Sequence, residues 1–115
     1  MKLVAWQWSL YRDNHANRAN LVIHALTNPL FLAGTIAIPL AIAARWWLAP
    51  LGLVAMIAAI ALQGRGHARE AVAPVPFRGP TDVVARIFVE QWITWPRFVA
   101  SGGFTRAWRA RAAAS

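Results

Sequence analysis

Two long stretches of this chain carry no formal charge. From Asn20 to Ala44 there is no Asp, Glu, Lys or Arg, and from Trp46 to Gly64 there is none either; Arg45 alone separates them. As helices, Leu21–Ala44 reaches about 36 Å and Trp46–Leu62 about 25 Å at a rise of 1.5 Å per residue. The hydrocarbon core of a bilayer takes roughly 20 apolar residues, within a range of about 17–25. The pattern predicts two membrane spans, 21–44 and 46–63, folded back on each other about Arg45. The second is rich in Ala, and small residues suit close helix contact in lipid. The soluble alternative buries the hairpin inside a globular bundle, but 115 residues leave too little chain to cover it. A cleavable signal peptide is not expected, because Trp6, Gln7, Trp8, Ser9 and Arg12 come before any apolar run.

Composition agrees with a membrane protein and sharpens its orientation. Apolar residues make up 58% of the chain and charged residues 14%, with twelve Lys and Arg against four Asp and Glu, a net charge of +8. Disorder is excluded by the apolar content, a disulfide scaffold by the absence of Cys, and two domains by length. Lys2, Arg12, Arg18, Arg65, Arg69, Arg78, Arg86, Arg97, Arg106, Arg109 and Arg111 all lie outside the hairpin, leaving Arg45 at its tip. By the positive-inside rule both termini face the cytoplasm, with Trp46 and Trp47 at the far headgroup layer. A nucleic-acid footprint is the rival account of such charge. Nucleic-acid readers seldom carry two runs of lipid length, so the expected partner is the bilayer.

The fold class expected is all-α: a transmembrane hairpin flanked by interfacial amphipathic helices. Residues 2–14 place Leu3, Trp6 and Leu10 at helical spacing and read as an interfacial helix. Asn14, Asn17 and Asn20 mark its end or the cap of the next helix. Pro29 and Pro39 fall inside the first span, and Gln63-Gly64-Arg65-Gly66 closes or bends the second. Residues 73–80 hold three prolines and read as an extended linker. Thr81 or Asp82 caps an amphipathic helix over 82–98, kinked or ended by Pro96. Residues 104–115 form a basic tail that frays.

Three histidines are arranged by this topology. His24 lies 21 residues before Arg45 and His67 lies 22 after it, so an antiparallel hairpin brings them to one depth at the cytoplasmic end. His15, just before the first span, folds back to the same level. Asn17, Asn20 and His24 share a helix face, extended by Asn28, and Tyr11 precedes His15 by one helical turn. His67 and Glu70 are i, i+3, the spacing of the Glu-x-x-His pairs of di-iron bundles. An imidazole–carboxylate cluster of this kind suits Fe(II), Zn or Mn. The plainer account of each His is a hydrogen bond at the headgroup layer. Polar groups at membrane depth are costly unless matched and commonly mark function. Glu90 has its own simple account, an i−4 pair with Arg86.

At these residues the chain resembles a known family. Tyr11-x3-His15-x-Asn17-x2-Asn20-x3-His24-x4-Pro29, followed after the hairpin by Gly66-His67-x2-Glu70-x3-Pro74, is similar to the small membrane proteins grouped with the fungal 2-hydroxy fatty acid dioxygenase. The likeness spans roughly residues 9–75. The stretch Phe88–Trp92 to Pro96–Phe98 also looks like the C-terminal part of compact bacterial relatives. The resemblance implies an Fe(II)-dependent oxidoreductase that takes a 2-hydroxy fatty acid and dioxygen and yields a fatty acid one carbon shorter. It implies iron on His15, His24 and His67, with the remaining position filled by Glu70 or by water. Tyr11, Asn17 and Asn20 then support the ligands. Arg65 or Arg69 would pair with the substrate carboxylate, or equally with lipid heads. Two spans are few to enclose a lipid tail, which points toward homo-oligomerisation. Two other readings remain at this point. One is a non-enzymatic membrane adaptor with a polar His/Asn face. The other is a haem protein.

Overall fold

The computed structural model describes residues 2–114, with side-chain surroundings through residue 110. The fold is all-α, with no strand among the described residues. Helix α1 (Lys2–Asn14) leads through a short corner to α2 (Arg18–Ala44). A 3-10 turn (Trp46–Leu48) reverses the chain into α3 (Ala49–His67). After an irregular segment come α4 (Pro80–Val89), a π-turn (Glu90–Thr94), α5 (Trp95–Ala100) and α6 (Gly103–Ala114). Two helical stretches, Arg18–Ala44 and Trp46–His67, are long and apolar enough to cross a membrane.

Helices α2 and α3 form the hairpin, and glycine sets how closely they approach. A Cβ on Gly34 would sit 2.6 Å from the carbonyl oxygen of Gly52, and one on Gly52 would sit 2.8 Å from that of Gly34. The two backbones therefore touch at a reciprocal pair of glycines, the close approach that small residues permit. Toward the tip the outer faces remain bare, with Leu40, Ile42, Leu51, Val54 and Ile57 exposed. At the opposite end a cap covers the hairpin. Its core is Tyr11, Leu21, Trp95 and Phe98, joined by Trp8, Phe104, Ala107 and Trp108.

The structure departs from expectation in three places, each with a local cause. The second hairpin helix continues through Gln63–Gly66 and ends one residue later, at His67. Gly66 is needed there because a Cβ would collide with the Asn20 side chain of α2. The helix expected over 82–98 starts at Pro80 and runs on through Ala100 as α4, the π-turn and α5. Pro80 suits a first-turn position, where its missing N–H would be unpaired anyway. Asp82 accepts the Arg78 N–H at 3.0 Å from within that turn. The basic tail is helical as α6, its Arg18-facing end held where the Arg18 guanidinium donates to the Trp108 carbonyl at 2.9 and 3.1 Å. The Arg111 side chain and Ser115 lie outside the described residues.

The π-turn follows from Pro96. The Trp95 N–H reaches back five residues to the Glu90 carbonyl. By the same spacing the Gln91 carbonyl would need the N–H of residue 96, which proline lacks. Asn28 of α2 fills the gap, its Nδ2 donating to the Gln91 carbonyl at 2.8 Å and to Gln91 Oε1 at 3.0 Å. Gln63 of α3 completes a reciprocal amide pair, with Gln91 Nε2 to Gln63 Oε1 at 2.7 Å and Gln63 Nε2 to Gln91 Oε1 at 3.1 Å. The wide turn is thus pinned to both hairpin helices by buried amides, and such turns are often found at functional sites.

The glycine crossing yields a test. Gly34→Val should lower stability by about 1–3 kcal/mol through overpacking, read as a lower Tm by circular dichroism in detergent. Leu26→Val, on the exposed face of the same helix, should leave Tm nearly unchanged.

Candidate metal centre

The centre is built from the corner after α1, the first turns of α2, the end of α3 and the start of the π-turn. His15, His24, His67 and Glu90 each offer one ligand atom, and the four atoms lie within 4.8 Å of one another. The imidazole centroids are 4.6 Å (His15–His24), 4.7 Å (His15–His67) and 4.9 Å (His24–His67) apart. His15 and His24 are almost wholly buried.

Backbone carbonyls decide the tautomers. His15 Nδ1 lies 2.9 Å from the Tyr11 carbonyl oxygen, and His24 Nδ1 lies 3.0 Å from that of Asn20. A carbonyl only accepts, so each Nδ1 carries the proton and donates. In its neutral form each ring then turns a bare Nε2 lone pair inward. Those two Nε2 atoms face each other at 3.3 Å. Glu90 Oε2 is 3.2 Å from the first and 3.6 Å from the second. Two lone pairs and a carboxylate converge with no proton of their own between them. A further buried nitrogen, His67 Nδ1, has no hydrogen-bond partner.

This arrangement fits a cation. An N–H donated to a carbonyl behind each ligating imidazole is the usual support of a metal-binding His, fixing ring orientation and tautomer. Protein ligands about 2.0–2.2 Å from an ion stand a few ångströms from each other, as these do. Among the described residues the charged partners of Glu90 at ion-pair distance are His15 and His24. The nearest cation along its own helix, Arg86, is engaged elsewhere. Burial pushes the Glu90 carboxyl up, but where the two rings carry an Nε2 proton their hydrogen bonds and charge outweigh this and hold it well below the usual carboxylate range. Tyr11 donates its hydroxyl to Glu90 Oε2 at 2.9 Å, and its ring stacks on His15 at 3.8 Å. Burial, then the adjacent Glu90 charge, pushes the Tyr11 phenol well above its ordinary value, so it stays a donor.

Several expected residues are placed otherwise. Glu70, the expected carboxylate ligand, braces the corner between α1 and α2. Its Oε1 accepts the N–H groups of Ala16 and Asn17 at 2.9 and 3.0 Å, and its Oε2 accepts Asn20 Nδ2 at 2.6 Å. Glu90 stands with the histidines instead. The expected Arg86–Glu90 pair is absent: Arg86 bonds Asp82 at 3.3 Å and the carbonyls of Val75 and Pro76 at 2.7 and 3.2 Å. Asn17 caps α2, accepting the Asn20 N–H at 3.2 Å. Asn20 serves the site through its carbonyl, which receives the His24 proton. Arg65 and Arg69 are exposed and do not line the adjoining cavity.

That cavity, about 320 Å³, opens onto His15, His67 and Glu90. Its walls are mostly apolar, including Trp6, Leu10, Ile60, Phe77 and Ile87. Arg86 is the one Lys or Arg on its lining. Compared with protein-family models, curated proteins and solved structures, the chain matches none.

The two carboxylates can be told apart by Co(II) titration. Glu90→Ala should weaken cobalt binding by at least about 10–100-fold. Glu70→Ala should leave cobalt affinity nearly unchanged and cost about 1–3 kcal/mol of stability. Equal losses of affinity in both variants would mean that Glu70 is not merely a brace.

Proposed function

We propose that this chain is an Fe(II)-dependent dioxygenase of 2-hydroxy fatty acids. In this reading the α2–α3 hairpin crosses the bacterial inner membrane, both termini lie on the cytoplasmic side, and the metal centre sits at that interface. One observation carries the proposal: the Nε2 atoms of His15 and His24 converge with the partly buried Glu90 carboxylate, and an apolar cavity opens onto His15, His67 and Glu90 of that group. The likeness to the 2-hydroxy fatty acid dioxygenase group at Tyr11, His15, Asn20, His24 and His67 supports the choice of chemistry. The exposed apolar faces of α2 and α3 and the distribution of Lys and Arg support the membrane setting.

Iron held by His15, His24, His67 and Glu90 would supply dioxygen chemistry and open positions for a hydroxyl and carboxylate. The chain's own residues have distinct tasks around it. The carbonyls of Tyr11 and Asn20 orient two imidazoles. The Tyr11 hydroxyl holds Glu90 Oε2. Trp6, Leu10, Ile60 and Ile87 take an acyl chain and exclude water from the centre. Arg86 ties down the carbonyls of Val75 and Pro76 in the segment that forms the outer wall.

Protein purified anaerobically in detergent should hold about one iron per chain, removable by a chelator, with no Soret band. It should consume oxygen on addition of a 2-hydroxy fatty acid. His24→Ala and His67→Ala should abolish both iron and uptake, because each removes a ligand. Unchanged iron in both variants would refute the site. A wild-type protein that takes up no metal would favour the adaptor reading instead.

A further inference from the structure

Helix α3 contains three glycines, and packing accounts for two of them. A Cβ on Gly52 would meet the Gly34 carbonyl, and one on Gly66 would meet Asn20. A Cβ on Gly64 would meet nothing within 4 Å. Its conformation is helical, so no unusual dihedral requires glycine. Glycine is the least favourable non-proline residue in a helix interior. Neither packing nor backbone geometry explains its presence at this position.

The cavity does. Gly64 lies on its lining between Ile60 and His67. The spacing i, i+4, i+7 puts these three on one face of α3, a track that rises about 10 Å at 1.5 Å per residue. The metal-centre end of the track is polar, at His67, and the other end is apolar, at Ile60; Glu90, Leu10 and Ile87 also line the cavity. The remaining polar side chains of the lining are largely engaged. Gln63 bonds Thr27 and Gln91, Gln7 bonds Thr94 and the Arg86 carbonyl, and Arg86 bonds the outer-wall carbonyls. A ligand with one polar end and one apolar chain therefore fits in a single direction, and the chain must pass over position 64.

We propose that Gly64 determines the length of apolar chain this cavity accepts: the ligand's polar head meets His67 and Glu90, and its unbranched chain lies along α3 over the open space at Gly64 toward Ile60. The inference rests on the proposed substrate class and adds the residue that measures the chain. A Cβ at position 64 meets no atom within 4 Å, so a side chain there obstructs the track starting from open space.

The test uses the full chain in detergent, loaded with Co(II), with ligand binding followed by perturbation of the cobalt visible band. The probes are 2-hydroxybutyric acid and 2-hydroxypalmitic acid. Gly64→Leu should still bind about one cobalt per chain and bind the short acid as wild type does, while binding the long acid at least on the order of tenfold more weakly. Gly64→Ala and Gly64→Val should fall in order between wild type and leucine, and this series carries the test if leucine prevents folding. Long-acid affinity that does not change along the series, or falls in parallel with short-acid affinity, overturns the role of Gly64 alone. If neither acid perturbs the wild-type band, the substrate reading fails and this inference fails with it.

Discussion

Two hydrogen bonds from imidazole to backbone govern this molecule. His15 donates from Nδ1 to the Tyr11 carbonyl, and His24 donates from Nδ1 to the Asn20 carbonyl. Each acceptor lies four residues upstream, where a helical turn presents it. Because a carbonyl has no proton to give, each Nδ1 holds one, and in the neutral rings an unprotonated Nε2 faces the other. At 3.3 Å two such lone pairs beside a carboxylate are unfavourable unless a proton or a metal ion lies between them. The helical backbone itself therefore creates the electron-rich pocket, which opens onto the adjoining cavity at His15, His67 and Glu90. Tyr11 is central because it accepts from His15 through its carbonyl, stacks on that imidazole with its ring, and holds Glu90 with its hydroxyl.

The fourth member of the cluster depends on a proline six residues beyond it. Pro96 cannot offer an N–H, so the preceding turn widens and leaves the Gln91 carbonyl for Asn28 to satisfy. The amide pair between Gln63 and Gln91 then fastens the turn to α3. Buried amides of this kind are favourable only when every donor and acceptor is met, and here they also tie the Glu90-bearing segment to both helices that carry His24 and His67. A regular helix from Pro80 to Ala100 would rotate Gln91 and everything after it relative to Glu90, and the contacts to α2 and α3 would be lost.

This explains what was and was not legible in the sequence. The hairpin was readable because charge is excluded from two lipid-length runs, and the depth of His24 and His67 followed from counting residues to Arg45. Tyr11 and His15 could be paired by one helical turn. Glu90 was misread because a carboxylate four residues after Arg86 is ordinarily half of a surface ion pair. Asp82 offers Arg86 a competing i, i+4 partner in the better orientation, acid before base, while the two linker carbonyls that complete the engagement of Arg86 leave no local signal. Glu70 was misread for a related reason: its spacing to His67 suits a ligand pair, while its partners are the N–H groups of a corner 53 and 54 residues earlier in sequence. One signal did point toward Glu90. It is one of four acidic residues in the chain, and it directly follows the apolar run Ile87–Val89.

The candidate ligands come from four different segments: the corner, α2, α3 and the π-turn. Hairpin and cap meet at this point, so an ion bound there cross-links parts of the chain that otherwise touch through few apolar side chains. Binding to the folded chain alone stabilises that chain, and here the stabilisation is spent on the junction that shapes the cavity. Glu70 supplies a second junction that needs no metal, tying the end of α3 to the start of α2 by charge-assisted hydrogen bonds. The two carboxylates thus divide the work. Glu70 holds the frame with or without an ion, while Glu90 contributes charge that burial disfavours, met by the Tyr11 hydroxyl and the imidazoles of His15 and His24. A site with a permanent brace beside a partly buried carboxylate is pre-shaped for a cation and does not depend on one to form the corner that carries His15.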